Sequence, residues 1–208
     1  MSDTKTLAPT RRRATTHRST RKTAPTLPAT RTAQKRRACF DRNPPGATTT
    51  TWLTPRRYID ALGPFDLDPC TPDTMPWRTA ARMLTKADDG LATPWPSSAF
   101  VWHNPPYGRG QEVWMQKAAE HGNGITLVLA RLDTQWAHDW VLNHQNTTAI
   151  AFPKGRIAFC KPDGSTGAAC PAAGMFVAYG NEAAKRLENA VASGAIQGVL
   201  LAFGKVAR

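Results

Sequence analysis

The five residues Asn104-Pro105-Pro106-Tyr107-Gly108 are the part of this 208-residue chain whose types and spacing could do chemistry. Each proline fixes its own φ, lacks an N–H and drives the residue before it into an extended conformation, so Asn104 and Pro105 are both held extended and the turn is stiff. The Pro105 carbonyl has no local helical partner. An asparagine side-chain oxygen and a backbone carbonyl are acceptors that can receive both hydrogens of one planar amino group, and Tyr107 follows as a flat aromatic face. The pattern is a recognition site for an NH2. The competing reading is a strand-ending turn, because Pro-Pro and Tyr-Gly are common loop signals. His103 beside the motif reads as a strand-end residue with a satisfied ring in preference to a catalytic base.

N-P-P-Y resembles the catalytic motif of methyltransferases that act on planar amino groups with S-adenosylmethionine. The resemblance implies that Asn104 and Pro105 hold the amine, Pro106 stiffens the turn and Tyr107 stacks on the ring. It extends along the chain. Thr54-Pro55 is followed by Phe65-Asp66-Leu67-Asp68-Pro69-Cys70, and in many adenine methyltransferases such a T-P helix start precedes a strand ending in D-P-x, whose loop receives the cofactor. The end of a central strand in an open α/β sheet does open onto the ligand crevice. A carboxylate at Asp68 can pair there with the cofactor's amino or sulfonium charge, or with its ribose hydroxyls. Thr71-Pro72-Asp73 comes next in place of a Gly-x-Gly loop, so the close approach of a glycine backbone to the cofactor is missing.

With Asp88-Asp89-Gly90-Leu91, Trp95 and the motif added, the series closely resembles the phage-type DNA N6-adenine methyltransferases of the Dam family, in which the short spacing between cofactor loop and catalytic loop is itself a trait. The resemblance makes Asp68, Pro69, Cys70 and Asp89 the cofactor-binding set, Asp89 toward the cofactor adenine or the catalytic loop. The alternative for Asp88-Asp89-Gly90 is a solvated turn.

The elements that must position these residues follow from periodicity. Thr54 as N-cap and Pro55 at the first helical position start a helix with Tyr58, Ile59 and Leu62 on its apolar face, stopped at Gly63-Pro64. Ala99-Phe100-Val101-Trp102 reads as a buried strand that ends at the motif. Gln111 to His121 is a helix with Val113, Trp114 and Ala118 inward, ended by Gly122. Ile125 to Ala130 is a continuous apolar strand, as in a sheet covered on both faces. A helix over Thr134 to Asn143, with Trp136 and Trp140 on one side, precedes a strand over Ala149 to Phe152. Lys154-Gly155-Arg156-Ile157-Ala158-Phe159 opens a hairpin whose return arm is Met175 to Tyr179. A helix over Glu182 to Ala192, capped by Asn181 and ended by Gly194, and a strand over Val199 to Phe203 complete the alternation. The fold class is α/β: an open, mostly parallel sheet with an antiparallel hairpin at one edge. The resemblance implies the Rossmann-like methyltransferase version of it, trimmed below the usual seven strands. The G-R-I-x-F run of the hairpin again matches the Dam pattern. Arg109, Lys154 and Arg156 are the candidates for phosphate or base-edge contact, against a structural role for Arg156 at the hairpin start.

Charge divides the chain in two. Residues 1–50 hold 12 Lys/Arg against 2 acids and residues 51–208 hold 15 against 13, so the basic character belongs to the first segment. That segment has almost no aliphatic residues beyond Leu7 and Leu27 and shows no periodicity, so it reads as a disordered basic tail (1–50) ahead of a methyltransferase domain (51–208). Its clusters, such as Arg11-Arg12-Arg13 and Lys35-Arg36-Arg37, suit a polyanion through salt-dependent contacts; a solubilising leader or an upstream translation start remains open. No apolar stretch has the length of a membrane span and no signal-peptide core follows Met1, so a soluble, cytoplasmic, monomeric protein is expected. Cys39, Cys70, Cys160 and Cys170 lack C-x-x-C spacing, which argues for free thiols and no metal, with Cys160 and Cys170 placed to face each other across a hairpin.

The activity so implied is transfer of a methyl group to adenine N6 in DNA, with the base flipped out of the duplex; recognition sequence and any partner restriction enzyme are left open. Two rivals stand beside it. One is an N-P-P-Y methyltransferase of RNA or of a protein glutamine amide, whose protein-directed members carry the glycine-rich cofactor loop absent here. The other is a DNA-binding protein on a decayed methyltransferase scaffold, which would bind no S-adenosylmethionine.

Overall fold

A computed structural model describes residues 51–170 and 172–203; the basic tail 1–50 and Cys39 lie outside the described residues. Helix α1 covers Arg56–Leu62, with Tyr58, Ile59 and Leu62 buried. Pro55 occupies its N-cap and no side chain caps it, so Thr54 does not have the capping role its sequence position suggests. β1 (Leu67–Asp68) and β2 (Arg82–Met83) follow, then a 3-10 turn at Lys86–Asp88, β3 (Val101–His103) and α2 (Gln111–His121). Gly122 ends α2 at φ 71°, in the left-handed region that favours glycine. α2 turns Met115, Ala118 and Ala119 inward. Val113 faces out at 46% exposure, against expectation, because the 3.6-residue period that buries Met115 and Ala118 leaves it on the far side.

β4 (Gly124–Leu129) is buried along its whole length. The expected helix after it is a single turn of α3 (Gln135–Ala137) that continues as a π-helical turn over His138–Leu142. β5 (Thr147–Pro153), β6 (Ala158–Cys160), β7 (Thr166–Ala169), β8 (Gly174–Tyr179), α4 (Asn181–Ala192) and β9 (Gly198–Ala202) complete the chain. Gly180, not Asn181, stands at the N-cap of α4.

The strands form one sheet in the order β2-β1-β3-β4-β8-β5-β9, with β6 and β7 forming a separate two-stranded sheet. β2, β1, β3 and β4 pair parallel, and β4, β8, β5 and β9 pair antiparallel, so five strands run one way and β8 and β9 the other. Among the described residues the main sheet therefore has seven strands, and trimming falls on length: β1 and β2 have two residues each. The hairpin also differs from expectation. Its arms are β6 and β7, while Met175 to Tyr179 belongs to β8 at the centre of the main sheet. Continuous burial on both faces of β8 explains why: a hairpin arm open to solvent would alternate, and GMFVAY does not. Within the hairpin Cys160 pairs with Thr166, and the Cys170 N–H donates to the Ile157 carbonyl at 2.9 Å, so the two cysteines do not face each other.

The core lies on both faces of the sheet. Trp102, Ile125, Leu127 and Phe176 meet α1 and α4 on one side, and Val101, Val128 and Val177 meet Met115 and Ala118 of α2 on the other, as alternation along each strand requires. For the site, the consequence is the pairing of Leu67 with Val101. Two neighbouring parallel strands end together, one leading into Pro69-Cys70 and the other into Asn104-Pro105.

Candidate active site

The catalytic candidate loop leaves β3 directly at Asn104 and returns to α2 through Gly108 at φ 116° and Gly110 at φ 85°. Pro105 is buried, Pro106 exposed, and Asn104 and Tyr107 half-buried. The Asn104 amide is held at both ends: Nδ2 donates to Thr54 Oγ1 at 3.1 Å, and Oδ1 accepts from the Tyr107 hydroxyl at 2.8 Å. The Tyr107 ring meets Phe159 of the hairpin edge-on, with centroids 6.2 Å apart. Burial, with a smaller contribution from Cys170, pushes the Tyr107 phenol well above its ordinary range, so it stays a neutral donor. The Pro105 carbonyl accepts no hydrogen bond from the described residues.

At the end of β1, Asp68 is buried, with Oδ1 accepting the Cys70 N–H at 2.9 Å and Oδ2 accepting the Thr79 hydroxyl. Burial raises its carboxyl pKa, against the hydrogen bonds from Thr79, Cys70 and Thr71. Asp68 thus shapes the loop 68–71 from within. The glycine that this loop lacks occurs across from it. A Cβ on Gly90 would stand 2.0 Å from the Pro69 carbonyl, so the Asp88-Asp89-Gly90 turn can lie against the 69–71 loop only with glycine there. Asp89 itself adopts a left-handed φ of 46°, and its Oδ1 accepts the N–H groups of Leu91 and Ala92, both at 3.2 Å.

These loops enclose one cavity of about 720 Å³. Asp68, Pro69, Cys70 and Asp89 line it together with Asn104, Pro105, Pro106 and Tyr107, and Trp52, Thr54 and Thr79 also contribute. Its wall carries the acids Asp68, Asp73 and Asp89 against the single cation Lys86. A wall of that sign suits a positively charged ligand. The volume falls in the range of sites that hold a small organic ligand.

Arg109, Lys154 and Arg156 are exposed and stand outside this wall. His103 is buried between Trp95 and Trp114, with Nδ1 3.1 Å from Thr126 Oγ1. Burial pulls its pKa down to about 3, so the ring is neutral. Its Nε2 is buried without a hydrogen-bond partner among the described residues, so the ring is not the fully satisfied one that the sequence suggested. Among the described residues no three or more His, Cys, Asp or Glu side chains cluster as metal ligands, and no helix is long and apolar enough to cross a membrane. Sequence reasoning missed Thr54, taken for a cap, and Thr79, for which no local signal exists. It also missed Lys117, whose Nζ on α2 donates to the carbonyls of Gly90, Leu91 and Thr93 at 3.1, 2.6 and 2.7 Å.

A curated relative from Escherichia phage T1, named DNA N-6-adenine-methyltransferase, is 31% identical over 102 residues, which is 45% of this chain and 42% of the relative's length. No solved structure matches. The family model described as DNA N-6-adenine-methyltransferase (Dam) matches residues 42–183, a span that contains both loops of the cavity, and the chain belongs to that family.

Proposed function

We propose that the protein transfers the methyl group of S-adenosylmethionine to N6 of adenine in DNA. The observation that carries this reading is the single cavity shared by Asn104, Pro105 and Tyr107 with the Asp68 and Asp89 loops, in a chain of the Dam family. The cofactor, when bound, supplies an electrophilic methyl carbon beside its sulfonium. The acidic wall formed by Asp68, Asp73 and Asp89 would hold it, with Asp68 acting through the loop it shapes and Asp89 through its remaining carboxylate oxygen.

A target adenine must leave the duplex to reach Asn104, at a cost of a few kcal/mol for unstacking. Stacking on Tyr107 returns about 1–3 kcal/mol of that. N6 then donates one hydrogen to the Asn104 oxygen, which keeps a second lone pair while accepting the Tyr107 hydroxyl, and the other to the unpartnered Pro105 carbonyl. Both bonds favour a more tetrahedral nitrogen whose lone pair points away from the acceptors. The new N–C bond forms as the S–C bond breaks with its electron pair on sulfur, and N6 sheds one proton to water. No strong base is required: the rate comes from alignment and from acceptors set where positive charge grows on nitrogen. Pro106 stiffens the corner, Arg109, Lys154 and Arg156 meet phosphates outside the cavity, and the basic residues of 1–50 add salt-dependent affinity for DNA.

The test is incorporation of tritiated methyl into duplex DNA followed by identification of the modified nucleoside. Asn104→Ala should lower the rate about a thousandfold, the scale on which a lost positioned hydrogen-bonding group acts, with the melting temperature retained. Equal incorporation by Asn104→Ala and parent, or label recovered anywhere but adenine N6, would overturn the reading.

A further inference from the structure

We propose that Thr54 is a positioning residue that fixes which way round the Asn104 amide faces, so that its oxygen and not its NH2 is turned to the substrate amine. The proposal rests on the methyltransferase reading above. An asparagine amide has an acceptor end and a donor end of nearly the same shape, and a half-turn of the side chain exchanges them. With the NH2 end toward a substrate amine, two donors would oppose each other and the site would be inert.

The two partners of the Asn104 amide are both hydroxyls, yet they are unequal. Tyr107 carries a phenol, which is far more acidic than an alkyl hydroxyl and donates more strongly than it accepts; Thr54 carries an aliphatic hydroxyl with two good acceptor lone pairs. Placing the phenol on Oδ1 at 2.8 Å and the alkyl hydroxyl on Nδ2 at 3.1 Å therefore selects one orientation.

Thr54 is built to serve as that fixed acceptor. It is 2% exposed and lines the cavity, and its side chain caps no helix, which leaves the hydroxyl available. Its backbone is held on both sides. Leu53 exchanges two hydrogen bonds of 2.8 Å with Cys160 of the hairpin, and Pro55 limits the chain on the other flank. The hydroxyl reaches Asn104 from 50 residues away in sequence, so the catalytic loop is referenced to the α1 entry as well as to its own strand.

Thr54→Val keeps the shape and removes the hydroxyl. The expected result is a kcat about tenfold lower, the scale of one lost buried hydrogen bond. KM for DNA and calorimetric Kd for S-adenosylmethionine should stay within about twofold. Thr54→Ser restores the acceptor and should bring kcat back to within about threefold of the parent. The sharpest arm uses Asn104→Asp, because a carboxylate has no wrong way round. Adding Thr54→Val to Asn104→Asp should change kcat less than about twofold, which a general structural defect would not reproduce. An unchanged kcat in Thr54→Val, or the same tenfold loss in the Asn104→Asp background, overturns the proposal. Weakened S-adenosylmethionine binding with kcat intact also overturns it, by making Thr54 a cofactor contact. A parent chain that transfers no methyl to DNA removes the methyltransferase reading itself, a result distinct from any difference among these variants.

Discussion

On one side of the sheet, β2, β1 and β3 run two or three residues each, and the connections 69–81 and 84–100 between them contain no α-helix. On the other side, β4, β8, β5 and β9 run five to seven residues, and α4 packs against them. Parallel neighbours are usually joined by a crossover helix. Here the first half gives up those helices, and the chain so released forms the irregular walls of the cavity, with Thr79, Thr85 and Asp89 all drawn from it. The difference teaches a division of labour: the long-stranded half supplies packing, and the short-stranded half trades regular structure for a cavity wall held by specific hydrogen bonds.

That division makes opposite predictions for the two halves. Leu187 of α4 is fully buried in the cluster that joins α4 to α1 and the sheet. Leu187→Ala should cost about 3 kcal/mol through lost burial and the cavity left behind. Urea unfolding should show it, while methyl-transfer kcat measured well below the melting temperature stays near that of the parent. A loss of kcat as large as that of the cavity variants would erase the contrast.

The long-stranded half was also the more legible in the sequence. The continuous apolar run of β4 and the α2 boundaries, Gln111 to His121 with Gly122 after them, follow directly from periodicity and capping. β8 was misassigned for a physical reason: an antiparallel strand buried on both faces looks the same as a parallel one or a hairpin arm until its neighbours are known. In the site, the N-P-P-Y corner and the acidic strand end were readable because proline geometry and strand termini act locally. The partners that hold them were not. Thr79 reaches Asp68 across 11 residues and Thr54 reaches Asn104 across 50, and such contacts leave no mark on local pattern.

His103 sits where the halves meet, paired across the sheet with Thr126. Its folded pKa lies at about 3, against 6.5 for an unburied histidine. Below pH 6.5 the unfolded chain therefore takes up a proton that the folded chain refuses, and the stability present above that pH is lost as pH falls toward 3. At pH 5 the loss is about 2 kcal/mol. His103→Gln should flatten the stability profile between pH 6.5 and 4 relative to the parent, a comparison in which the opposing carboxyl of Asp68 cancels. Parallel profiles for the two proteins would show that the seam carries a proton at no cost, and so is open to water.

Lys117 gives the smallest effect and the finest probe of the short-stranded half. Its ammonium spends its three protons on the carbonyls of Gly90, Leu91 and Thr93 and lies 5.0 Å from the centre of the Trp95 ring. Partial burial lowers its pKa, with Asp89 acting in the other direction. The residues it holds follow directly on Asp89, so α2, which starts after the Asn104–Gly108 corner, is tied to the Asp88-Asp89-Gly90 turn, whose Asp89 and Gly90 also line the cavity. Lys117→Met keeps the stem and deletes the ammonium. The turn should then sample more conformations, and calorimetric Kd for S-adenosylmethionine should rise about tenfold, or about 1.4 kcal/mol. DNA affinity and kcat at saturating cofactor should hold within about twofold. The effect is modest because the Trp95 N–H still donates to the Gly90 carbonyl at 2.9 Å and Asp89 still bonds the N–H groups of Leu91 and Ala92. An unchanged Kd would mean that those local bonds suffice, and that the short-stranded half is rigid without its tie to α2.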